Sequence, residues 1–187
     1  FDDAGGLAVS MKMSASIRRT EATQANVGNA LSLLQTQDGV LKSADKVLNR
    51  MSELATLAQD VTKSTSDLAL YSTELTQLKG QLNLMLSEKF NGVSLFQSGT
   101  TTGLDVVTSL TVVTSHDGGQ SVGITQSDLN FISTSVGTDA SSGMIITSNT
   151  GAQSALTTIT TAIQNLATLR ANNGAEQTRL TFAADML

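Results

Sequence analysis

The chain has 187 residues, a formal net charge of -5 and an isoelectric point near 4.7, with 3% aromatic residues, one Tyr and no Trp, Pro or Cys. The absence of Cys excludes disulfides, zinc thiolate sites and thiol catalysis, and the singly scattered Lys and Arg form no phosphate-binding surface, so no nucleic-acid partner is expected. No apolar run approaches the roughly 20 residues of a membrane span, no secretory leader pattern opens the chain, and a Pro-free core of Leu, Ala, Val, Ile and Met suits long helices packed on one another.

In chain order, Asp2 and Asp3 favour the positive end of a helix that meets no strong breaker from about Ala4 to Asp60. Gly28 and Gly39 each cost on the order of 1 kcal/mol relative to Ala there. A helix of about 55 residues is roughly 85 Å long, so the expected shape is a rod. Within it Leu41, Ala44, Leu48, Met51, Ala55 and Ala58 alternate in steps of three and four, the seam of a coiled coil. Lys42, Asp45, Lys46, Asn49, Glu53 and Gln59 occupy the opposite side. Val61 to Ser66 reads as a turn, with Ser66 or Asp67 capping a second helix to about Lys89. That helix repeats the spacing at Leu68, Tyr71, Leu75, Leu78, Leu82 and Met85, so it is expected to fold back antiparallel and to end at Phe90-Asn91-Gly92.

From Gln97 to Asn149 the composition turns to Ser, Thr, Gly, Val and Asp. Leu110 to Ser115 and Gln120 to Thr125 flank His116-Asp117-Gly118-Gly119, a hairpin signature. Ser133 to Thr150 is weakly patterned and reads as an exposed lobe. Helical spacing returns after Gly151 at Ala152, Leu156, Ile159, Ile163, Leu166 and Leu169, continued by Leu180, Ala183 and Leu187. The expected fold is mainly α: an elongated antiparallel helical bundle or coiled-coil rod of three long helices, with a small β-hairpin region inserted between the second and third. Residues 1–96, 97–150 and 151–187 then divide one structural domain into an N-terminal rod segment, a β-rich excursion and a C-terminal rod helix.

Chemistry is sparse. His116 is the lone His, on a turn tip, so a His-based triad or an H-E-x-x-H zinc helix has no second member. Asp105, Asp117, Asp128 and Asp139 recur at intervals of about eleven, unlike an EF-hand loop, and read as turn and cap residues. Gly5-Gly6 and Gly118-Gly119 make no phosphate loop. No catalytic residue, cofactor or metal is expected, and the positive finding is packing surface.

That surface has a family spelling. DDAGGLAVSMKM at Asp2 to Met13, NALSLLQTQDGVL at Asn29 to Leu41, LNRMSELATLAQD at Leu48 to Asp60 and FNGVSLF at Phe90 to Phe96 resemble, in order, the N-terminal rod segment of bacterial flagellins. ALTTITTAIQNLATLRANNGAEQTRL at Ala155 to Leu180 resembles their C-terminal rod helix. The middle differs, as the family's variable outer region does. The resemblance implies a self-assembling structural subunit of the extracellular flagellar filament, exported unfolded through the flagellar type III apparatus. Its implied partners are other flagellin subunits, an export chaperone and the filament cap. Because Phe1 is not Met and both ends fall inside regular elements, the chain is expected to be a trimmed fragment, monomeric without the far-terminal polymerisation helices.

The resemblance also implies a contact site. In flagellins detected by a vertebrate Toll-like receptor, the matching segment contributes an Arg and a Leu, with a Glu from the next helix; here these are Arg50, Leu54 and Glu74. Ser52 departs from the Arg common there. The plainer reading makes Arg50 and Glu74 polar rod residues facing solvent or a neighbouring subunit. Alternatives to a filament subunit are a hook-filament junction protein, which tends to depart from FNG and QTQDG, and a flagellin-like surface adhesin or polysaccharide binder. An enzyme built on this scaffold ranks last, for want of His, Cys and clustered carboxylates.

Overall fold

A computed structural model describes residues 4–97, 109–129, 136–137 and 144–187. Three helices dominate: α1 (Ala4–Leu57), α2 (Thr65–Leu86) and α3 (Asn149–Asp185). Among the described residues six short strands lie between α2 and α3: β1 (Lys89–Phe90), β2 (Val93–Ser94), β3 (Phe96–Gln97), β4 (Ser109–Val113), β5 (Ser121–Thr125) and β6 (Ser127–Asp128). They pair as β1 with β2 and β4 with β5, both antiparallel, and β3 with β6 in parallel. At 54 residues α1 is about 80 Å long, and it is the axis against which the rest packs.

The seam of α1 runs through Thr23, Val27, Ala30, Leu34, Gln37, Leu41, Ala44, Leu48, Met51, Ala55 and Ala58, all buried and alternating in steps of four and three. This 3.5-residue repeat keeps one edge of the helix turned toward its partner along the whole contact. The six positions expected from Leu41 to Ala58 are among them. The partner is α3, antiparallel: Asn149 Nδ2 donates to Gln59 O at 2.7 Å, and Arg170 Nε to Asp38 Oδ1 at 3.0 Å. Its buried residues are Ala152, Ala155, Ile159, Ala162, Leu166, Asn173 and Leu180. The stripe read from sequence lay partly on the flank, because Leu156, Ile163 and Leu169 are only half-buried while the smaller Ala155, Ala162 and Asn173 hold the seam. Small residues let the two backbones approach, and α3 crosses Asn172-Asn173-Gly174 without a break.

A polar layer interrupts this apolar seam. Gln37 Nε2 donates to Leu95 O at 2.9 Å, and Asn173 Nδ2 donates to Gln37 Oε1 at 2.7 Å and to Leu34 O at 3.2 Å. Gln177 Nε2 in turn donates to Asn173 Oδ1. The layer fixes the register of α1 on α3 and ties the segment after the β1-β2 hairpin to both.

Two helix boundaries differ from expectation. The α2 N-cap is Ser64, whose Oγ accepts from Asp67 N at 3.2 Å while Asp67 Oδ2 accepts from Ser64 N at 2.9 Å. Asp67 therefore closes a capping box from inside the first turn instead of capping the helix itself. At the other end α2 stops with Ser87 as its C-cap, and Phe90-Asn91-Gly92 does not terminate it. Phe90 pairs with Val93, so Asn91 (φ 49°) and Gly92 (φ 82°) are the two-residue loop of a hairpin. Asn-Gly suits that role because both loop residues need positive φ. The hairpin expected near Leu110 to Thr125 is β4-β5, with five residue pairs from Ser109↔Thr125 to Val113↔Ser121. Half of the exposed lobe expected at 133–150, and residues 98–108 of the excursion, lie outside the described residues. The chain re-enters α3 at close range: a Cβ on Gly151 would stand 2.5 Å from Ile145 O, so that position accepts only glycine without movement.

Candidate interaction surfaces

Along the antiparallel register, the end of α3 at Asp185 comes level with Thr23, the first buried residue of the α1 seam. Just before it Thr20 still shares a groove with the β4-β5 turn and Met186, and further toward the N-terminus the apolar side chains of α1 are exposed. Extending the seam backward in the same steps places Val9 and Met13 on it, and they are 56% and 63% exposed. Ile17 stands beside them, while Leu7 and Met11 fall on the far side, so this stretch is apolar on more than one face. A helix apolar around its circumference is one that is buried in its working state. Sequence reading that began at Leu41 missed these residues, although the spacing itself extends to them.

The second surface is charged. Arg50 Nε donates to Glu74 Oε1 at 2.7 Å and its Nη2 to Glu74 Oε2 at 3.2 Å, a two-pronged pair between α1 and α2. The remaining Nη1 donates to Glu53 Oε2 at 2.9 Å. The bond to Glu74 raises the Arg50 guanidinium above its ordinary value, and the same bond holds the Glu74 carboxyl below the usual carboxylate range. Arg50 and Glu74 are thus brought together on the outside of the rod. Leu54, one turn along on the same side of α1, is fully buried in the core. Ser52, two residues on from Arg50, is half-exposed.

The other sequence candidates serve the backbone. His116 is exposed in the β4-β5 turn, where Asp117 Oδ1 accepts from Gly119 N at 3.0 Å and from the Ser115 hydroxyl. Asp117 is held below its ordinary value mainly by the Ser115 bond. Asp128 is exposed on β6, whereas Asp105 and Asp139 lie outside the described residues. Among the described residues no three His, Asp or Glu side chains converge, and no helix is long and apolar enough to cross a membrane.

Comparison with known proteins matches residues 1–102 to the family model for the bacterial flagellin N-terminal helical region. A flagellin of Halalkalibacterium halodurans is 31% identical over 96% of this chain and 62% of its own length. The flagellar filament 30.7 kDa core protein of Treponema maltophilum is 29% identical over 98% of this chain and 66% of its own length. This chain therefore spans no more than about two thirds of these relatives. The crystal structure of Bacillus cereus flagellin superposes with a TM-score of 0.74 at 28% identity, covering 88% of this chain and 89% of that one. With the family model spanning more than half of the sequence and a flagellin crystal structure sharing the three-helix rod, the chain belongs to the bacterial flagellin family.

Proposed function

We propose that this chain is the rod of a filament subunit, which packs against further copies of itself in an extracellular bacterial flagellum. In that role it is structural, not catalytic. The observation that carries the reading is the three-helix rod itself, built on the buried α1-α3 seam and shared with flagellin; Val9 and Met13, exposed on the line of that seam, are the side chains it offers to a neighbour. Residues 1–96 and 151–187 form the wall element and 97–150 the variable excursion, with an export chaperone and the filament cap as transient partners. The full-length protein is expected to form filaments by electron microscopy after seeding. Val9→Asp with Met13→Asp should abolish them while leaving the circular dichroism of the 187-residue chain unchanged. Normal filaments from the double variant would remove the stripe from the assembly surface.

The Arg50-Glu74 pair is the second contact in this reading. It meets a neighbouring subunit in the filament, and in the free chain it is open to a vertebrate Toll-like receptor, with Leu54 acting from below through its packing. Since Leu54 is buried, Arg50→Ala is the cleaner probe. It should weaken receptor binding about tenfold, the scale of losing one charged contact, with the melting temperature nearly unmoved. Equal binding of the two chains by surface plasmon resonance would exclude Arg50 from the receptor contact.

A further inference from the structure

The sequence holds two Asn-Gly dipeptides, and the fold treats them oppositely. Asn173 is 2% exposed, its Nδ2 donates to Gln37 Oε1 and Leu34 O, and its Oδ1 accepts from Gln177. Gly174 follows it inside α3, where a backbone N–H donates to the carbonyl four residues back. Asn91-Gly92 is instead the exposed loop between β1 and β2. Neither the Asn91 amide nor the Gly92 N–H has a hydrogen-bond partner among the described residues. The space about Gly92 is open, with nothing within 4 Å of where a Cβ would stand. Only the pairs Lys89↔Ser94 and Phe90↔Val93 hold the loop closed. Rotation about the Asn91 Cα–C bond, which brings the Gly92 nitrogen against Asn91 Cγ, therefore disturbs no more than this short ladder.

We propose that Asn91 is a site of spontaneous deamidation, and that its isoaspartyl product slackens the tie between the β1-β2 hairpin and the rod. The Gly92 nitrogen gives up its proton to hydroxide and attacks Asn91 Cγ. An N–Cγ bond forms, the Cγ–Nδ2 bond breaks, and the amide nitrogen leaves as ammonia with a proton from water. Water then opens the succinimide ring. Cleavage of the new N–Cγ bond leaves aspartate, whereas cleavage of the old N–C bond leaves isoaspartate, whose main chain runs on through Cβ and Cγ. A two-residue loop has no room for an added backbone atom unless the Phe90↔Val93 pair moves. Close behind that pair is Leu95, whose N–H donates to Glu88 O and whose carbonyl accepts from the buried Gln37. Asp-Gly, by contrast, suits the same loop as well as Asn-Gly does.

The test incubates the 187-residue chain at mildly alkaline pH, below its melting temperature, and follows the side-chain NH2 resonances of its asparagines. Labelling by an isoaspartyl methyltransferase, read by mass spectrometry, locates the product. Loss of the Asn91 pair is expected, faster as the pH rises, while the pairs of Asn173 and of the exposed Asn83, which precedes Leu84, persist. In guanidinium chloride the Asn91 and Asn173 pairs should decay alike, because only the fold separates them. In the folded isoaspartyl fraction the Leu95 amide and Gln37 side-chain resonances should shift, whereas in Asn91→Asp they keep their positions. An Asn91 pair as durable as that of Asn83 would overturn the site. So would an Asn173 pair lost equally fast in the folded chain, or one that survives in guanidinium chloride. Unmoved Gln37 and Leu95 resonances in the isoaspartyl fraction would overturn the slackening.

Discussion

Leu48→Ala is expected to destabilise the rod by about 3–4 kcal/mol, lowering its melting temperature by roughly 10 °C. Leu48 is fully buried at the centre of the α1 seam, between Ala44 and Met51, and the antiparallel register sets it against the Ala162 region of α3. With alanines already at 44, 55, 155 and 162, the seam holds few large side chains, and two stiff helices leave little freedom to close a void. Leu84→Ala supplies the control: at 64% exposure its loss should change stability by no more than about 0.5 kcal/mol. Denaturant unfolding of the two variants separates the cases, and a similar midpoint for both would mean that Leu48 does not carry the seam.

Asn173→Ala should cost about 2–3 kcal/mol, more than the volume removed would suggest. The change strips Gln37 Oε1 of its buried donor and leaves Gln177 without its acceptor, while Gln37 must still serve Leu95 O. Converting both Gln37 and Asn173 to Leu should be less damaging than the sum of the two single changes by about 1–2 kcal/mol, because neither of these two amides is then left facing a missing partner, whereas Gln177 and Leu95 O lose theirs in the single and the double variants alike. A double-mutant cycle measures this directly. Strict additivity would show that Gln37 and Asn173 act separately. The paired Leu variant should also lose its single register, seen as doubled amide resonances along α3, since an all-apolar seam no longer distinguishes one heptad alignment from the next.

α1 is legible in the sequence because its repeat is strict and is marked by Leu34, Leu41, Leu48 and Met51 among the smaller seam residues. On α3 side-chain size misleads, because the large Leu156, Ile163 and Leu169 sit on the flank while Ala155, Ala162 and Asn173 hold the seam. Close helix packing favours the smaller set, and nothing in α3 alone reveals how near its partner comes. Asn91-Gly92 suits both a helix end and a hairpin loop, and only the strand on its far side distinguishes the two. The Arg50-Glu74 bond joins residues 24 apart on different helices, and no local pattern contains it. Resemblance to flagellins singled out the two residues, and the fold placed their charges together. The burial of Leu54 could be foreseen from its place next to Ala55 on the seam.

Contact between Asn173 and Leu34 joins positions 139 apart, whereas Arg50 and Glu74 are separated by 24. Closing the longer loop costs about 1.5 kcal/mol more in chain entropy, and non-local closure is what slows folding. The two N-terminal helices can therefore collapse early, while the long seam waits for the last segment of the chain to find it. During that interval the polypeptide is a pliable thread carrying one nascent hairpin of helices. A covalent link between α1 and α3 would shorten the wait and make a sturdier rod, at the expense of that pliancy.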